Sequence, residues 1–301
     1  MKVLLTRRIP SSVFSRLQAV GDVDLYEGPS AISADELKRR LADKQALISV
    51  LTDRVTPELL DAAPNLRIVS NIAVGYENID VAAAKARGVI VTNTPDVLTE
   101  AVAEFTWALI LAAARRVAEG DRLIRRHGWK GWALDFMLGT ELRGKQLGIV
   151  GSGRIGRAVA AKAPAFGMTA VFGQRTALDQ LLVTSDVISL HVPGGPETRH
   201  LIDRKTFARM KRSAIFVNTA RGSVVDEEAL IWALQERLIA AAALDVFENE
   251  PHVREELMTM ENVVLAPHLG SATRETRTAM IDLAVSNVLA VAAGNSPITP
   301  V

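Results

Sequence analysis

Three polar segments in the last third of the chain contain residue types that could carry out chemistry. Arg221 lies in VNTARG, Glu250 in LDVFENEP and His268 in LAPHLG. Each segment is predicted to follow a strand of a parallel sheet, and ligands of open α/β folds bind at the carboxyl ends of such strands. An imidazole can transfer a proton near neutral pH, and a guanidinium can bind a carboxylate. Taken singly, an arginine or glutamate at a strand end is more often part of a surface ion pair, and a histidine is as often a core residue as a catalyst.

A glycine-rich turn lies earlier in the chain, between an apolar strand predicted at 146–150 and an alanine-rich helix. The turn consists of Gly151, Ser152, Gly153, Arg154, Ile155 and Gly156. In the GxGxxG pattern the first glycine allows a tight turn, the second lets the backbone approach a pyrophosphate, and the third lets helix and strand pack closely. The helix amino terminus adds N–H groups and a positive dipole end. The pattern predicts dinucleotide binding; the alternative is a glycine turn used only for packing.

The end of the following strand indicates which dinucleotide is bound. NAD sites place an acidic residue about 20 residues after the glycines, whereas NADP sites accommodate a 2′-phosphate with a cation. Here no acidic residue occurs between Leu142 and Leu178, and the strand end carries Gln174, Arg175 and Thr176. These three residues are therefore predicted cofactor contacts, with NADP(H) preferred and NAD(H) possible. Alternatively, Arg175 is an ordinary solvated arginine, or it stacks on adenine and tolerates both cofactors.

Strand and helix patterns alternate along the chain in two series. The first series has strands predicted at 2–6, 23–26, 46–51, 67–71 and 89–92. The second has strands predicted at 146–150, 169–172, 187–191, 215–218, 240–246 and 263–266. Long helices are predicted at 100–119 and 273–293. Such alternation predicts mostly parallel sheets with right-handed crossovers.

The fold class predicted from this order is α/β, with two doubly wound parallel-sheet domains. A length of 301 residues favours two domains. A Rossmann cofactor domain is expected at 98–269, and a flavodoxin-like substrate domain at 1–97, completed by 270–301. The active site is expected in the cleft between the two, where closure would exclude water before reaction.

Composition excludes several classes of partner. Lys and Arg number 35 against 34 Asp and Glu, so no strong field attracts nucleic acid or an anionic membrane. The chain has no cysteine, which excludes disulfides, thiolate metal ligands and a cysteine nucleophile; no metal site is predicted. The amino-terminal apolar run is too short for a signal peptide, and the longest uncharged apolar stretch, 105–114, is half of a membrane span. We expect a soluble cytoplasmic protein with a small-molecule partner.

The chain resembles the D-isomer-specific 2-hydroxyacid dehydrogenase family over essentially its whole length. The matching motifs, in order, are GSGRIG, NTARGSVVDEEAL, ALDVFENEP and APHLGSAT. Two further segments, NIAVGYENID and VTNTPDVLTEAVAEF, resemble the glyoxylate/hydroxypyruvate reductase branch. The resemblance implies NAD(P)H-dependent reduction of a small 2-keto acid to the D-2-hydroxy acid. It also implies a homodimer joined through the cofactor domain, for which the apolar segment 129–138 is a candidate surface; that segment could instead cover the site or pack on its own domain.

Catalytic roles follow from the resemblance. It implies that His268 gives a proton to the carbonyl oxygen, that Glu250 binds the second ring nitrogen and favours the imidazolium, and that Arg221 binds the substrate carboxylate. Backbone N–H groups of Val74 and Gly75 are expected to bind the other end of the substrate carboxylate.

The resemblance also extends the set of cofactor contacts. Asp245 is expected to hold the nicotinamide carboxamide. Thr219, Ala220 and Gly270 are the remaining predicted cofactor contacts.

The chain departs from the family pattern at three places. The stretch between Gly173 and Ser185 is short where relatives carry another strand, and Val102 stands where many relatives have a threonine near the nicotinamide. Pro164 is expected to kink or end the helix that follows the glycine turn.

Related activities are separated by single residues. Formate dehydrogenases carry Gln in place of Glu250, and phosphite dehydrogenases carry Lys in place of Val74. The alternatives left open are a 2-ketoaldonate reductase, another D-2-hydroxyacid dehydrogenase such as one acting on phosphoglycerate, and a non-catalytic dinucleotide sensor.

Overall fold

The computed structural model describes residues 1–173 and 178–301 of the protein. These residues form two compact units, Met1–Leu98 with Ala272–Val301 and Thr99–Ser271. The unit bounds differ by one and two residues from the division predicted at 97/98 and 269/270. The predicted cofactor contacts Gln174, Arg175 and Thr176 lie outside the described residues.

The described residues contain eleven strands in two sheets. The first five are β1 Val3–Leu5, β2 Val23–Leu25, β3 Ala46–Ser49, β4 Ile68–Asn71 and β5 Ile90–Thr92. The other six are β6 Gln146–Val150, β7 Thr169–Gly173, β8 Val187–Leu190, β9 Ile215–Asn218, β10 Ala241–Leu244 and β11 Val263–Leu265. Every strand predicted from the sequence is present, in most cases shorter by one to three residues.

Twelve α-helices accompany these strands in the described part of the chain. The first six are α1 Ser11–Gln18, α2 Ala34–Leu41, α3 Pro57–Asp61, α4 Val81–Ala86, α5 Thr99–Ala114 and α6 Val117–Arg125. The other six are α7 Arg154–Lys162, α8 Leu178–Thr184, α9 Arg204–Phe207, α10 Glu227–Gln235, α11 Glu255–Thr259 and α12 Arg274–Ala292. Several of them have side-chain caps: the side chains of Ser33, Thr56 and Thr273 each accept a hydrogen bond from a backbone N–H in the first turn of their helices.

The first unit contains a parallel sheet in the order β2-β1-β3-β4-β5, which is the flavodoxin-like order. β1, β3 and β4 are buried along their whole length, as expected for parallel strands covered on both faces. The carboxy-terminal helix α12 completes this unit, where the Ser70 hydroxyl donates a 2.9 Å hydrogen bond to the carbonyl of Ala284. The prediction that a carboxy-terminal helix joins the amino-terminal sheet is consistent with this contact.

The second unit contains a parallel sheet in the order β11-β10-β9-β8-β6-β7. Within the described residues β7 is therefore an edge strand, whereas the standard doubly wound order places a further strand outside it. The short stretch after Gly173 accounts for this difference. The core below the sheet includes Trp107 of α5, which stacks on Phe166 with ring centroids 4.3 Å apart and donates to the carbonyl of Val159.

The single helix predicted at 100–119 is wrong, because the chain forms α5 and α6 with a break between them. Arg116 adopts a left-handed conformation with φ of 55°. Its guanidinium binds both carboxylate oxygens of Glu119, at 2.7 and 2.8 Å, in the first turn of α6. An acidic side chain in a first turn is favoured by the helix dipole, and the ion pair holds the arginine at the break.

Pro164 has the effect predicted for it. Helix α7 ends at Lys162, and a short 3₁₀ turn over Ala163–Phe166 carries the proline at a position where no backbone N–H is required. Gly167 then closes the turn in a left-handed conformation with φ of 65°.

Candidate active site

The glycine turn between β6 and α7 has a different packing environment at each glycine. Gly151 has φ of 106°, and a Cβ there would lie 2.5 Å from the carbonyl oxygen of His191. A Cβ on Gly156 would lie 2.2 Å from the carbonyl oxygen of Gly151. Gly153, by contrast, has no atom within 4 Å of its Cβ position. Two of the glycines are thus required by packing, and the middle one leaves open space beside the backbone.

That open space lies at the first turn of α7, of which Gly153 is the amino-terminal cap without a side-chain capping bond. β6 and β8 are neighbours here, so the chain turns to opposite sides of the sheet at this point. Such switch points are where doubly wound folds bind ligands, and a helix amino terminus favours phosphate. The residues present therefore fit the pyrophosphate of a dinucleotide, with Ser152, Arg154 and Ile155 on the same turn.

His191 follows β8 at this switch point. Its Nε2 lies 2.9 Å from the hydroxyl of Ser189, and burial lowers the pKa of His191 to about 3. The imidazole is therefore neutral at physiological pH, and it can supply a hydrogen bond but no charge to a neighbouring ligand.

The catalytic candidates follow β9, β10 and β11, which are consecutive in the sheet. Nδ1 of His268 lies 2.9 Å from Oε2 of Glu250. The other carboxylate oxygen, Oε1, accepts the backbone N–H of Phe247 at 3.1 Å. With Nδ1 engaged by the carboxylate, Nε2 is the ring nitrogen that can exchange a proton with a substrate.

Several opposing effects act on Glu250. Burial raises the pKa of Glu250, but the hydrogen bond from His268, the charge of His268, the N–H of Phe247 and the charge of Arg221 outweigh it, so the pKa is lowered from 4.5. The carboxylate is therefore ionised at neutral pH. Both Arg221 and His268 lower the pKa of Glu250 through their charge, so the three predicted catalytic residues interact electrostatically.

Hydrogen bonds fix the backbone around Arg221. The side chain of Asn218 accepts from the N–H of Ala220 at 3.0 Å and donates to the carbonyl of Arg221 at 2.9 Å. Nη1 of Arg221 donates to the carbonyl of Ala220 at 2.7 Å. The turn after β9 is thus fixed by the last residue of the strand.

Asp245 is buried and anchors the segment that carries His268. Its two carboxylate oxygens accept the backbone N–H groups of Leu269 and Gly270, at 2.6 and 2.8 Å. Its carbonyl oxygen accepts the N–H of His268, which has φ of 55°. Burial raises the pKa of Asp245 despite these two donors. Asp245 therefore shapes the turn in which His268 takes up a left-handed conformation; the predicted carboxamide contact stays a prediction.

The segment that carries Glu250 contacts the motif that contains Arg221. A Cβ on Gly222 would lie 1.9 Å from the carbonyl carbon of Phe247, so only glycine fits there. Oε1 of Glu227 accepts the N–H of Glu248 at 2.7 Å. Sequence reasoning did not single out Glu227; an acidic residue one position after a helix cap looks like an ordinary first-turn carboxylate.

The remaining predicted cofactor contacts lie nearby in the same unit. The hydroxyl of Thr219 is buried and lies 2.9 Å from that of Thr106, and Ala220 is buried beside it. The Cβ position of Gly270 lies 3.5 Å from a methyl group of Val102. Val102 therefore presents hydrocarbon where a threonine would present a hydroxyl.

The histidines outside the candidate site differ from one another. His127 and His252 are exposed. His200 is half-buried, with Nε2 2.7 Å from Oε1 of Glu248. Arg199 contacts the same oxygen at 3.0 Å. The pairing could not be read from the sequence, because the partners are 48 residues apart.

The predicted substrate contacts Val74 and Gly75 lie in the loop that follows β4 in the first unit. Both are half-buried. The carbonyl of Val74 accepts from the side chain of Asn93 at 2.8 Å, and that of Gly75 accepts from the side chain of Asn71 at 3.0 Å.

Other site types are not found in residues 1–173 and 178–301. These residues contain no cluster of three or more His, Cys, Asp or Glu side chains that could hold a metal ion, and none of their helices is long and apolar enough to cross a membrane. A cavity of about 480 Å³ lies near Ile215 and Ala241, where β9 and β10 begin. The catalytic candidates follow the opposite ends of these strands.

A dinucleotide-binding turn and an imidazole oriented by a carboxylate occur together in one Rossmann-type unit. The class of protein that this fold and site define is the nicotinamide-dinucleotide-dependent oxidoreductases. Comparison with known proteins agrees: the model of the D-isomer specific 2-hydroxyacid dehydrogenase, NAD binding domain, matches residues 107–270. The chain belongs to the D-isomer-specific 2-hydroxyacid dehydrogenase family, which confirms the resemblance found in its sequence.

Individual relatives cover nearly the whole chain. A glyoxylate reductase from Thermococcus litoralis is 46% identical over 98% of this chain and 95% of that protein. A crystal structure of a protein from Thermus thermophilus covers 100% of both chains, with 44% identity and a TM-score of 0.96. An NADPH-dependent glyoxylate/hydroxypyruvate reductase from Sinorhizobium meliloti, solved with NADP and malonate, is 35% identical, with a TM-score of 0.87 over 100% of this chain and 96% of that one.

Proposed function

We propose that the protein reduces glyoxylate, hydroxypyruvate or a similarly small 2-keto acid to the D-2-hydroxy acid, with NADPH preferred over NADH. The observation that carries the proposal is the 2.9 Å contact between His268 and Glu250, with the charge of Arg221 acting on the same carboxylate. Reduction of a ketone requires a proton donor for the carbonyl oxygen, and an imidazole held by a carboxylate can fill that role.

A reduced nicotinamide, when bound, supplies hydride to the carbonyl carbon. His268 gives the Nε2 proton to the oxygen of that carbonyl as negative charge develops there, and Glu250 stabilises the imidazolium that precedes the transfer. Arg221 binds the substrate carboxylate and orients the carbonyl. The backbone N–H groups of Val74 and Gly75 bind the same carboxylate.

The choice of substrate is supported by relatives whose names state it. The Thermococcus litoralis protein is a glyoxylate reductase, and the Sinorhizobium meliloti protein is an NADPH-dependent glyoxylate/hydroxypyruvate reductase. The preference for NADPH is supported by the absence of acidic residues from 143 to 177 and by Arg175. Ser152, Gly153 and Ile155 are proposed to contact the pyrophosphate, and Asp245, Thr219 and Gly270 the nicotinamide end.

The first experiment measures oxidation of NADPH and of NADH by the purified protein with glyoxylate and with hydroxypyruvate. Turnover with a higher kcat/KM for NADPH supports both the substrate and the cofactor preference. Turnover with a higher kcat/KM for NADH supports the reductase activity but rejects the role given to Arg175. Absence of turnover with either keto acid rejects the proposed substrate class.

We also propose that two copies associate through the segment 129–138 of the second unit. Its large apolar side chains are exposed, Trp132 to 78% and Leu134 to 84%, and are therefore available for contact with a second copy. Exposed apolar clusters of this kind mark protein–protein contacts. Light scattering is expected to give twice the chain mass for the wild type, and the mass of one chain for the Trp132→Asp Leu134→Asp double variant. A wild-type monomer rejects the proposal. The cytoplasmic location stays a prediction.

A further inference from the structure

Three consecutive carbonyl groups of the loop after β4 are bound by protein donors. The carbonyl of Ala73 accepts the N–H of Thr94 at 2.9 Å. The carbonyl of Val74 accepts Nδ2 of Asn93 at 2.8 Å, and the carbonyl of Gly75 accepts Nδ2 of Asn71 at 3.0 Å. Two of the three donors are therefore side-chain amides, which take no part in the backbone hydrogen bonding between strands.

The direction of these carbonyls determines the direction of the N–H groups. In a trans peptide the C=O of one residue and the N–H of the next point in opposite directions. The N–H of Val74 therefore points away from Thr94, and that of Gly75 points away from Asn93. Among the described residues no protein acceptor takes the N–H of Val74, Gly75 or Tyr76. Successive backbone N–H groups turned to one side form a concave binding site for an anion.

Asn93 is itself held in place on both sides of its main chain. Its N–H donates to the carbonyl of Thr299 at 3.3 Å, and its carbonyl accepts from the hydroxyl of Thr299 at 2.6 Å. That hydroxyl also accepts from Nδ2 of the buried Asn287, at 2.9 Å. The side chain of Asn93 thus reaches Val74 from a fixed backbone.

Asn71 is fixed by its neighbours in the sheet. Its side chain is fully buried at the end of β4, where Oδ1 accepts from the hydroxyl of Ser49 at 3.0 Å. Nδ2 donates to Oδ1 of Asn78 at 3.1 Å as well as to Gly75. Asn78 in turn donates to the carbonyls of Val50 and Asp53, at 3.2 and 2.8 Å. This network joins both ends of the loop to the segment that follows β3.

We propose that Asn93 and Asn71 are positioning residues for the substrate carboxylate. Their amides hold the carbonyls of Val74 and Gly75 and so turn the N–H groups of the loop towards the anion. This inference rests on the proposed function and deepens it: it assigns the residues that give the carboxylate subsite its direction. Neither asparagine touches the substrate.

The test replaces Asn93 with leucine, which has a similar shape but no donor and no charge. Asn93→Leu is expected to raise the KM for glyoxylate, and the dissociation constant of oxalate measured by calorimetry, about 10-fold to 100-fold, the range for a hydrogen bond to a charged group. The kcat at saturating glyoxylate and the dissociation constant of NADPH are expected to remain within about 2-fold, because only carboxylate binding is lost. A merely structural role would lower kcat and thermal stability together and would not single out the carboxylate ligands.

Asn262 provides a matched control, because its Nδ2 also donates to a backbone carbonyl, that of Ala240, at 3.0 Å. Asn262→Leu is expected to leave the KM for glyoxylate and oxalate binding unchanged. Asn93→Ser, which is too short to reach Val74, is a second variant that preserves the polarity of the position and is expected to repeat the loss. Oxalate binding by Asn93→Leu equal to that of the wild type overturns the inference, as does a wild type that does not bind oxalate. Absence of turnover by a wild type that still binds oxalate rejects the proposed function and leaves this inference tested by calorimetry alone.

Discussion

Nδ1 of His268 lies 2.9 Å from Oε2 of Glu250, and the second oxygen of the same carboxylate accepts the N–H of Phe247. The glutamate therefore folds back onto its own turn and presents a single oxygen to the imidazole. Asp245 holds the backbone on the other side, through the N–H groups of Leu269 and Gly270. Protein contacts therefore hold both the imidazole ring and the backbone that carries it.

Replacement of His268 by glutamine removes the proton donor and keeps a polar side chain of similar size. We expect kcat/KM for glyoxylate reduction to fall about 10²-fold to 10⁴-fold, the contribution of general acid catalysis. The dissociation constant of NADPH, measured by fluorescence titration, should be unchanged. His252→Gln at an exposed position is the control. A loss smaller than about 10-fold would show that another group delivers the proton.

Replacement of Glu250 by glutamine tests the carboxylate rather than the imidazole. Because the pKa of Glu250 is lowered from 4.5, its carboxylate is ionised across the neutral range and its own protonation affects activity only below that value. Without the carboxylate, Nδ1 of His268 loses its charged hydrogen-bond partner and the ring is held less firmly, so kcat/KM for glyoxylate should fall about 10-fold to 100-fold. The dissociation constant of NADPH should be unchanged. A loss smaller than about 2-fold would contradict the role given to Glu250.

Most elements of the fold could be predicted because their signals are local. Apolar strand runs, the caps Ser33, Thr56 and Thr273, and the break at Pro164 each depend on a few adjacent residues. The break at Arg116 could not be predicted in this way. A bidentate ion pair between Arg116 and Glu119 lies at this break, and nothing in the sequence separates that pair from an ordinary (i, i+3) pair on a continuous helix.

The catalytic residues of the candidate site could be predicted from the sequence, but the residues that hold them in place could not. His268, Glu250 and Arg221 follow strand ends within recognisable motifs, whereas the groups that hold them make contacts distant in sequence. Glu227 binds the N–H of Glu248, 21 residues later, and Asn93 binds a carbonyl 19 residues earlier. Both residues lie inside the quoted motifs, but the motifs do not indicate which atoms meet.

Replacement of Glu227 by glutamine should not destabilise the protein near pH 8. Glu227 is only 3% exposed, and burial together with the charges of Glu248 and Glu250 raises its pKa above 4.5, although the N–H of Glu248 and the charge of Arg254 oppose this. The folded state thus binds this proton more tightly than the unfolded chain, and the ionised carboxylate lowers stability once the pH exceeds 4.5. Glutamine keeps the acceptor for Glu248 and lacks the charge.

Urea unfolding at pH 5 and pH 8 measures this effect. Glu227→Gln should equal or exceed the wild type at pH 8, and its advantage should shrink as the pH falls towards 4.5. Glu227→Ala should lose about 1 to 3 kcal/mol, because the N–H of Glu248 is left without its acceptor. Glu228→Gln, an exposed neighbour, should stay within about 0.5 kcal/mol. A Glu227→Gln variant as unstable at pH 8 as Glu227→Ala would show that the charge itself is needed.

Alanine at Gly153 and at Gly156 separates the binding role of the glycine turn from its packing role. The Cβ of Gly153→Ala meets nothing within 4 Å, so this variant should lose less than about 1 kcal/mol of stability, mainly from the weaker helix cap. The added methyl group occupies the space proposed for the pyrophosphate, and NADPH binding should therefore weaken more than 10-fold, by roughly 1.4 kcal/mol or more.

The Cβ of Gly156→Ala would lie 2.2 Å from the carbonyl oxygen of Gly151, so that variant should be destabilised by about 1 to 3 kcal/mol or more. Fluorescence titration with NADPH and urea unfolding of both variants give the comparison. Unchanged NADPH binding by Gly153→Ala would show that the dinucleotide does not approach the backbone at this turn, and would leave packing as the only use of the glycine pattern.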